Sequence, residues 1–341
     1  MKALVKKEST PGLWLVDIPV PQIKPNEVLI KIRKTAICGT DRHIYDWDPW
    51  AAKTIPVPLT IGHECMGEIV ELGHEVHHLE VGQRVAVEGH FACGQCVNCR
   101  TGLAHLCLQV EGLGVQRPGA FAEYLAMPAF NVISLPDQVS DDSAAILDPF
   151  GNAVHALMSY EATCRDILIT GAGPIGLMGI LIAKKIGVRT VTVSDVNPFR
   201  LKLAEKLGAD AIYHPERDNM SALKERLGMK EGFDLGYEMA GNPAALSMLL
   251  EHIRHGGRMV LMGVYPNVIP VDVNLMIFKG LRIKGIYGRE MFRTWYQSLQ
   301  LLQTGLDISP VITHQFPYFK FEEAFDALKA GDSAKVVLDW C

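Results

Sequence analysis

Four cysteines, Cys93, Cys96, Cys99 and Cys107, form a Cys-x-x-Cys-x-x-Cys run closed by a fourth thiol after seven more residues. Four soft ligands this close in sequence can surround one tetrahedral Zn²⁺ and leave no coordination position open, so such a site staples a loop and does no chemistry. A differently built set lies upstream: Cys38, then His63-Glu64. A thiolate, an imidazole and a carboxylate leave a position free for water or substrate, as a catalytic zinc requires. Asp148 is a candidate for a further carboxylate near that metal. The competing reading, eight cysteines as disulfides, suits small exported domains better than a long chain whose first residues, Met-Lys-Ala-Leu-Val-Lys-Lys, lack a signal peptide's apolar core.

The open site calls for alcohol chemistry. A metal lowers the pKa of bound water to about 7, and a carbinol oxygen should respond in the same sense. An alkoxide becomes a carbonyl by expelling hydride, and the proton must leave a dry site. Thr40 and His43, in Cys38-Gly-Thr40-Asp-Arg-His43, offer a hydroxyl-to-imidazole relay; the bland alternative for His43 is a surface histidine. Cys65, beside Glu64, reads as buried packing rather than a competing ligand.

The hydride acceptor is written in Gly171-Ala-Gly173-Pro-Ile175-Gly176. Alone, Gly-x-Gly-x-x-Gly is a weak signal. Here it follows an apolar strand and opens a helix, with Asp195 19 residues past the last glycine at the end of the next strand. The glycines allow a tight turn and close approach of backbone N–H groups to a pyrophosphate at the helix N-terminus. Asp195 should accept hydrogen bonds from a ribose and repel a 2′-phosphate, which favours NAD over NADP; Arg200 is the counter-argument.

The elements that must hold these groups fall into two regions. Residues 1–150 are rich in β-branched residues broken by Pro and Gly, with alternating strands such as 28–33 and 84–87. From 151 to 290 strands alternate with helices: strands 166–170, 190–194, 233–238 and 258–263, helices 174–186 and 198–207. That alternation means βαβ units and a doubly wound parallel sheet. The tail, 291–341, with helices near 294–303 and 322–329 and strands near 311–316 and 335–338, should rejoin the first region. Catalysis is expected at the carboxyl ends of the parallel strands. The net charge of −5 and scattered basic residues argue against a nucleic-acid surface. The longest strongly apolar stretch, 175–183, is far short of the roughly 20 residues a membrane span needs.

These residues carry a pattern that resembles the zinc-containing medium-chain dehydrogenases over the whole chain. Gly62-His63-Glu64-x-x-Gly67 with Gly73 and Val76 looks like that family's zinc signature, and Cys38-x-Thr40-x-x-His43 like its ligand-plus-relay segment. The stretches 35–41, 43–45, 148–155 and 285–291 resemble the branch that oxidises the 3-hydroxyl of L-threonine to 2-amino-3-oxobutanoate with NAD⁺. The resemblance implies a Rossmann domain plus a β-rich GroES-like catalytic domain with a structural zinc lobe, two zinc ions per chain, and a cytoplasmic homotetramer. It assigns the catalytic zinc to Cys38, His63 and Glu64, the relay to Thr40 and His43, and to Asp148 an influence on the metal without direct ligation. It implies NAD contacts at Ile175, Asp195, Arg200, Met262, Gly263, Val264, Ile286 and Tyr287, and a place near the substrate for His90, whose alternative is a loop histidine. The rivals are a zinc polyol or secondary-alcohol dehydrogenase of the same chemistry, and a non-catalytic binder of NAD and zinc.

Overall fold

The computed structural model describes all 341 residues, which divide into two compact units. The first comprises Met1–Pro149, Glu290–Gly305 and Ile312–Cys341; the second comprises Phe150–Arg289 and Leu306–Val311. The short piece Leu306–Val311 thus lies with the second unit, inside a tail that the sequence reading assigned wholly to the first.

The first unit is built on the long strand Glu27–Ile37. Its Val28, Leu29, Ile30 and Ile32 are buried and Lys31 is exposed, so the strand is covered on both faces at its start rather than alternating strictly as the sequence pattern suggests. Glu64–Leu72 pairs antiparallel along most of its length, Tyr124–Pro128 along its first half, and the chain's last strand, Lys335–Asp339, along its second half. The register Ala36↔Glu64 and Ile37↔Val336 brings the end of the chain beside His63-Glu64. Beneath lies a core that includes Ile30, Ile32, Val85, Val87, Phe121, Phe325, Val336 and Leu338, each worth about 1.5–3 kcal/mol when fully buried.

The second unit is a six-stranded, all-parallel sheet. Its spatial order is Ala211–Tyr213, Thr190–Ser194, Asp166–Thr170, Phe233–Glu238, Ile253–Leu261, Arg282–Gly285. In sequence rank this is 3-2-1-4-5-6, the doubly wound order, whose switch point falls between Asp166–Thr170 and Phe233–Glu238. Those two strands, Thr190–Ser194 and the helix Pro174–Lys185 match the sequence expectation within a residue. The fifth strand starts five residues earlier than expected, because a register shift opposite Phe233–Leu235 absorbs the glycine pair Gly256-Gly257. No helix is long and apolar enough to cross a membrane.

Candidate active site and metal centres

The segment after Glu27–Ile37 is an α-helix, Gly39–Asp46. Cys38 is its N-cap: Asp41, three residues on, accepts the Cys38 backbone N–H at 2.8 Å through Oδ2. The reciprocal contact from the cap side chain marks a capping box built on cysteine. Thr40 and His43 are i, i+3 neighbours on this helix, with Thr40 Oγ1 3.9 Å from Cys38 Sγ. His43 is largely exposed, and its Nδ1 is 2.6 Å from Asp48 Oδ2. Asp48 is itself fixed as the N-cap of the next helix, Pro49–Thr54.

Cys38, His63 and Glu64 each bring one ligand atom into a cluster in which all lie within 4.8 Å of one another. The cluster contains an orphaned group: His63 Nδ1 and Asp41 Oδ1 are buried, 3.7 Å apart, and neither has a hydrogen-bond partner. A carboxylate behind one imidazole nitrogen is the usual support for a histidine whose other nitrogen binds metal. Burial opposes charging of the His63 ring, but Asp41 and Cys38 outweigh it and push the imidazolium up to about 10, so a cation is welcome where the proton sits. A soft thiol, an imidazole and a carboxylate suit zinc, and the residues fit the ion. Asp148 is buried and close enough to act electrostatically on His63, Glu64 and Asp41, yet it is outside the ligand cluster.

Glu64 is not alone. Lys335 Nζ lies 2.6 Å from its Oε1 and 2.5 Å from its Oε2, and donates to Ile37 O at 3.0 Å, with both side chains almost fully buried. Burial lifts the Glu64 carboxyl to about 6 against the pull of Lys335. Burial likewise opposes the Lys335 charge, but Glu64 and its neighbours raise the ammonium above its ordinary value. Cys65, buried in the same strand, has its thiol pushed up to where it stays protonated, chiefly by burial, and it packs in the apolar core.

The four-cysteine lobe converges as its spacing requires. The four sulfurs share one cluster, with Cys93–Cys99 and Cys96–Cys99 Sγ separations of 3.9 and 3.5 Å. Four sulfurs at about 2.3 Å from a tetrahedral zinc sit about 3.8 Å apart, so the cage already has the ion's dimensions. Backbone N–H groups of Gln95 and Cys96 point at Cys93 Sγ, and those of Cys93 and Gln109 at Cys107 Sγ, a pattern that favours thiolates. All eight cysteines are unpaired.

In the second unit the fingerprint loop is tight where it must be. A Cβ on Gly176 would sit 2.0 Å from Gly171 O, whereas one on Gly173 would meet nothing within 4 Å, leaving the helix N-terminus open to a ligand. Asp195 directly follows the strand Thr190–Ser194, with Oδ2 accepting from Ala172 N at 2.7 Å and Oδ1 accepting from Asn197 N at 2.8 Å. It therefore fastens the glycine loop, and each oxygen keeps a lone pair for a ribose. Arg200 Nε is buried with no partner, an orphaned donor in the following helix. Met262 and Gly263 donate to Glu238 O, and Ile286 N donates to Leu261 O, placing these predicted contacts just past the carboxyl ends of the sheet. Ile175 is partly buried in the first turn of its helix, while Val264 and Tyr287 are exposed.

Three residues that sequence pattern did not single out hold the predicted ones: Asp41 behind His63, Lys335 behind Glu64, and Glu88 behind His90. Glu88 is fully buried and accepts from His90 N at 2.8 Å, His90 Nδ1 at 2.9 Å and Trp295 Nε1 at 2.7 Å. Asn131 Nδ2 ties Glu88 O and His90 O together. Arg289 is buried, and Glu290 pairs with Arg293 at 3.1 Å. Only Asp41 left a local signal, an acidic residue at the third position of a helix.

The fold and the two metal-ligand sets define a class. Residues 24–137 match the alcohol dehydrogenase GroES-like domain and residues 174–304 the zinc-binding dehydrogenase domain. The chain belongs to the family of zinc-binding, medium-chain alcohol dehydrogenases. It is 55% identical over 340 residues to the L-threonine 3-dehydrogenases of Alteromonas mediterranea and Legionella pneumophila, and 53% identical to that of Proteus mirabilis, each covering 100% of both chains. Among solved structures it is similar to a short chain alcohol dehydrogenase of E. coli CFT073 complexed with NADH (TM-score 0.91, 29% identity, 100% and 99% of the two chains). It is similar also to the 2R,3R-butanediol dehydrogenase of Bacillus subtilis (TM-score 0.89, 29% identity, 99% of each chain).

Proposed function

We propose that this chain oxidises the 3-hydroxyl of L-threonine to L-2-amino-3-oxobutanoate and passes the hydride to NAD⁺. The observation that carries the substrate is the full-length identity of 52–55% to relatives named for it, against 29% to the butanediol enzyme. Cys38, His63 and Glu64 would hold the catalytic ion, and Cys93, Cys96, Cys99 and Cys107 the structural one. Bound there, zinc supplies Lewis acidity toward a hydroxyl oxygen, and NAD⁺ supplies the hydride acceptor.

The remaining work falls to the protein's own residues. Asp41 holds His63 with Nδ1 turned toward a carboxylate, leaving the other nitrogen for the ion. Thr40, beside Cys38, receives the substrate proton and passes it along its helix face to His43. With its Nδ1–H engaged by Asp48, His43 presents Nε2 as the basic nitrogen, and its exposure gives the proton an exit. Asp148 adds negative charge around the cationic centre. Glu88 fixes the ring of His90, the candidate to face the amino-acid end of the substrate. The glycine loop, Asp195 and Arg200 take the adenosine side of NAD, and Met262 to Val264, Ile286 and Tyr287 the nicotinamide side.

The division into a catalytic unit (1–150 completed by 291–341) and an NAD-binding unit (151–290) belongs to the same reading. So does a cytoplasmic homotetramer. Eight unpaired thiols suit a reducing compartment. The edge strand Arg282–Gly285 follows exposed Val268, Val273, Ile277 and Phe278, an apolar face suited to a second copy. Purified protein should reduce NAD⁺ with L-threonine in clear preference to sorbitol and butane-2,3-diol; preference for either polyol would reject this substrate.

A further inference from the structure

Glu238 ends the fourth-ranked strand of the parallel sheet, on one side of the switch point, and it is completely buried. Its Oε1 accepts from Ala240 N at 2.9 Å and Gly241 N at 3.0 Å, the loop that follows its own strand. Its backbone carbonyl accepts from Met262 N at 2.9 Å and Gly263 N at 3.1 Å, the loop that follows the neighbouring strand. One residue therefore joins two adjacent loops at the carboxyl edge.

The loops are also interlocked by shape. A Cβ on Gly263 would lie 2.2 Å from Gly241 N and 2.3 Å from Glu238 Oε2, and one on Gly241 would lie 2.5 Å from Val264 O. A third loop joins them: a Cβ on Gly171 would approach Ala240 N and Met239 O to 2.9 Å, and Met239 N donates to Thr170 O at 2.9 Å. The other carboxylate oxygen of Glu238, Oε2, and the Tyr265 hydroxyl are both buried and close enough to act on each other: Tyr265 favours the Glu238 carboxylate against its burial, and burial together with Glu238 holds the Tyr265 phenol protonated. A fully buried carboxylate with one oxygen spent on two loop N–H groups is costly to keep unless the loops' placement matters.

A doubly wound sheet binds a dinucleotide across its switch point, one half to each set of three strands. The glycine fingerprint and Asp195 occupy the first three, so the loops after Glu238 and Leu261 must receive the nicotinamide half. We infer that Glu238 is the positioning residue of that half: its side chain and its own carbonyl clamp the two loops into one surface on which the nicotinamide nucleotide rests. This rests on the NAD reading given above.

The test is direct NADH binding to the zinc-replete enzyme, by fluorescence titration without substrate, alongside steady-state kinetics. In E238A the NADH Kd and the KM for NAD⁺ rise at least tenfold, while kcat at saturating NAD⁺, KM for L-threonine and zinc content stay within twofold. E238Q, which keeps Oε1, recovers to within about threefold of wild type. An E238A that binds NADH within twofold of wild type, or that loses kcat and zinc along with NADH, overturns the assignment. If E238A does not accumulate folded, E238D decides instead, because it withdraws the oxygens by about one C–C bond, 1.5 Å. Its NADH Kd should rise at least threefold, and no change overturns the assignment. Wild-type protein that fails to bind NADH would sink the NAD reading itself, and this inference with it.

Discussion

Lys335→Met removes the one cation seated against a buried carboxylate that the catalytic ion would also use. Lys335 Nζ touches both oxygens of Glu64, at 2.6 and 2.5 Å, with the side chains 3% and 1% exposed. Removing one partner of such a pair costs about 3–5 kcal/mol, because the other charge stays buried and uncompensated. At about 2–4 °C per kcal/mol, the metal-depleted protein should melt on the order of 10 °C lower. A divalent ion held by Cys38, His63 and Glu64 compensates the same carboxylate, so zinc should recover about half of that loss. Closing the thermodynamic cycle, the variant should then bind the catalytic zinc more tightly by about 2 kcal/mol, roughly thirtyfold. Calorimetry of both proteins, with one and with two zinc equivalents verified by metal analysis, reads every corner of the cycle. An equal loss of melting temperature in both metal states would refute the reasoning, since Glu64 would then feel Lys335 but not the ion.

Cys99→Ser breaks the sulfur cage, and elemental analysis should find one zinc equivalent gone and the lobe rapidly proteolysed, with the Cys38 site still loaded. His43→Gln should lower kcat by about 10²–10⁴ without changing NADH affinity; Asp48→Asn, which leaves the ring in place but weakens its partner at 2.6 Å, should fall between it and wild type in pre-steady-state turnover. Asp195→Ser should lose NADH affinity and narrow the preference over NADPH, read by parallel titrations, because it removes both the ribose acceptor and the tie to Ala172 N at 2.7 Å.

What the sequence made legible was local. The sulfur cage spans fifteen positions, from 93 to 107, and the glycine loop six, so spacing alone announced them. The strands at the switch point are short apolar runs bounded by turns, and they were readable almost to the residue. The partners were not. Lys335 lies 271 residues from Glu64 and Trp295 207 from Glu88, and only the pairing of the last strand onto Glu27–Ile37 brings the first pair together. The helix Gly39–Asp46 was hidden for a different reason. Its sequence, Gly-Thr-Asp-Arg-His-Ile-Tyr-Asp, buries only Asp41 and Ile44, so it lacks the apolar stripe that identifies a helix, and its cap is a cysteine rather than a serine or aspartate. Glu238 was legible as the end of a strand but not as a clamp, since its partners are backbone N–H groups that carry no side-chain signature.

The most direct test of the account is zinc content and threonine-dependent NADH formation measured together on wild type and Cys38→Ser. The account predicts two zinc equivalents per chain in the wild type, and in the variant one equivalent, retained NADH binding and nearly complete loss of turnover. A fully active wild type holding a single zinc in the four-cysteine cage, or a Cys38→Ser protein that still turns over, would contradict it.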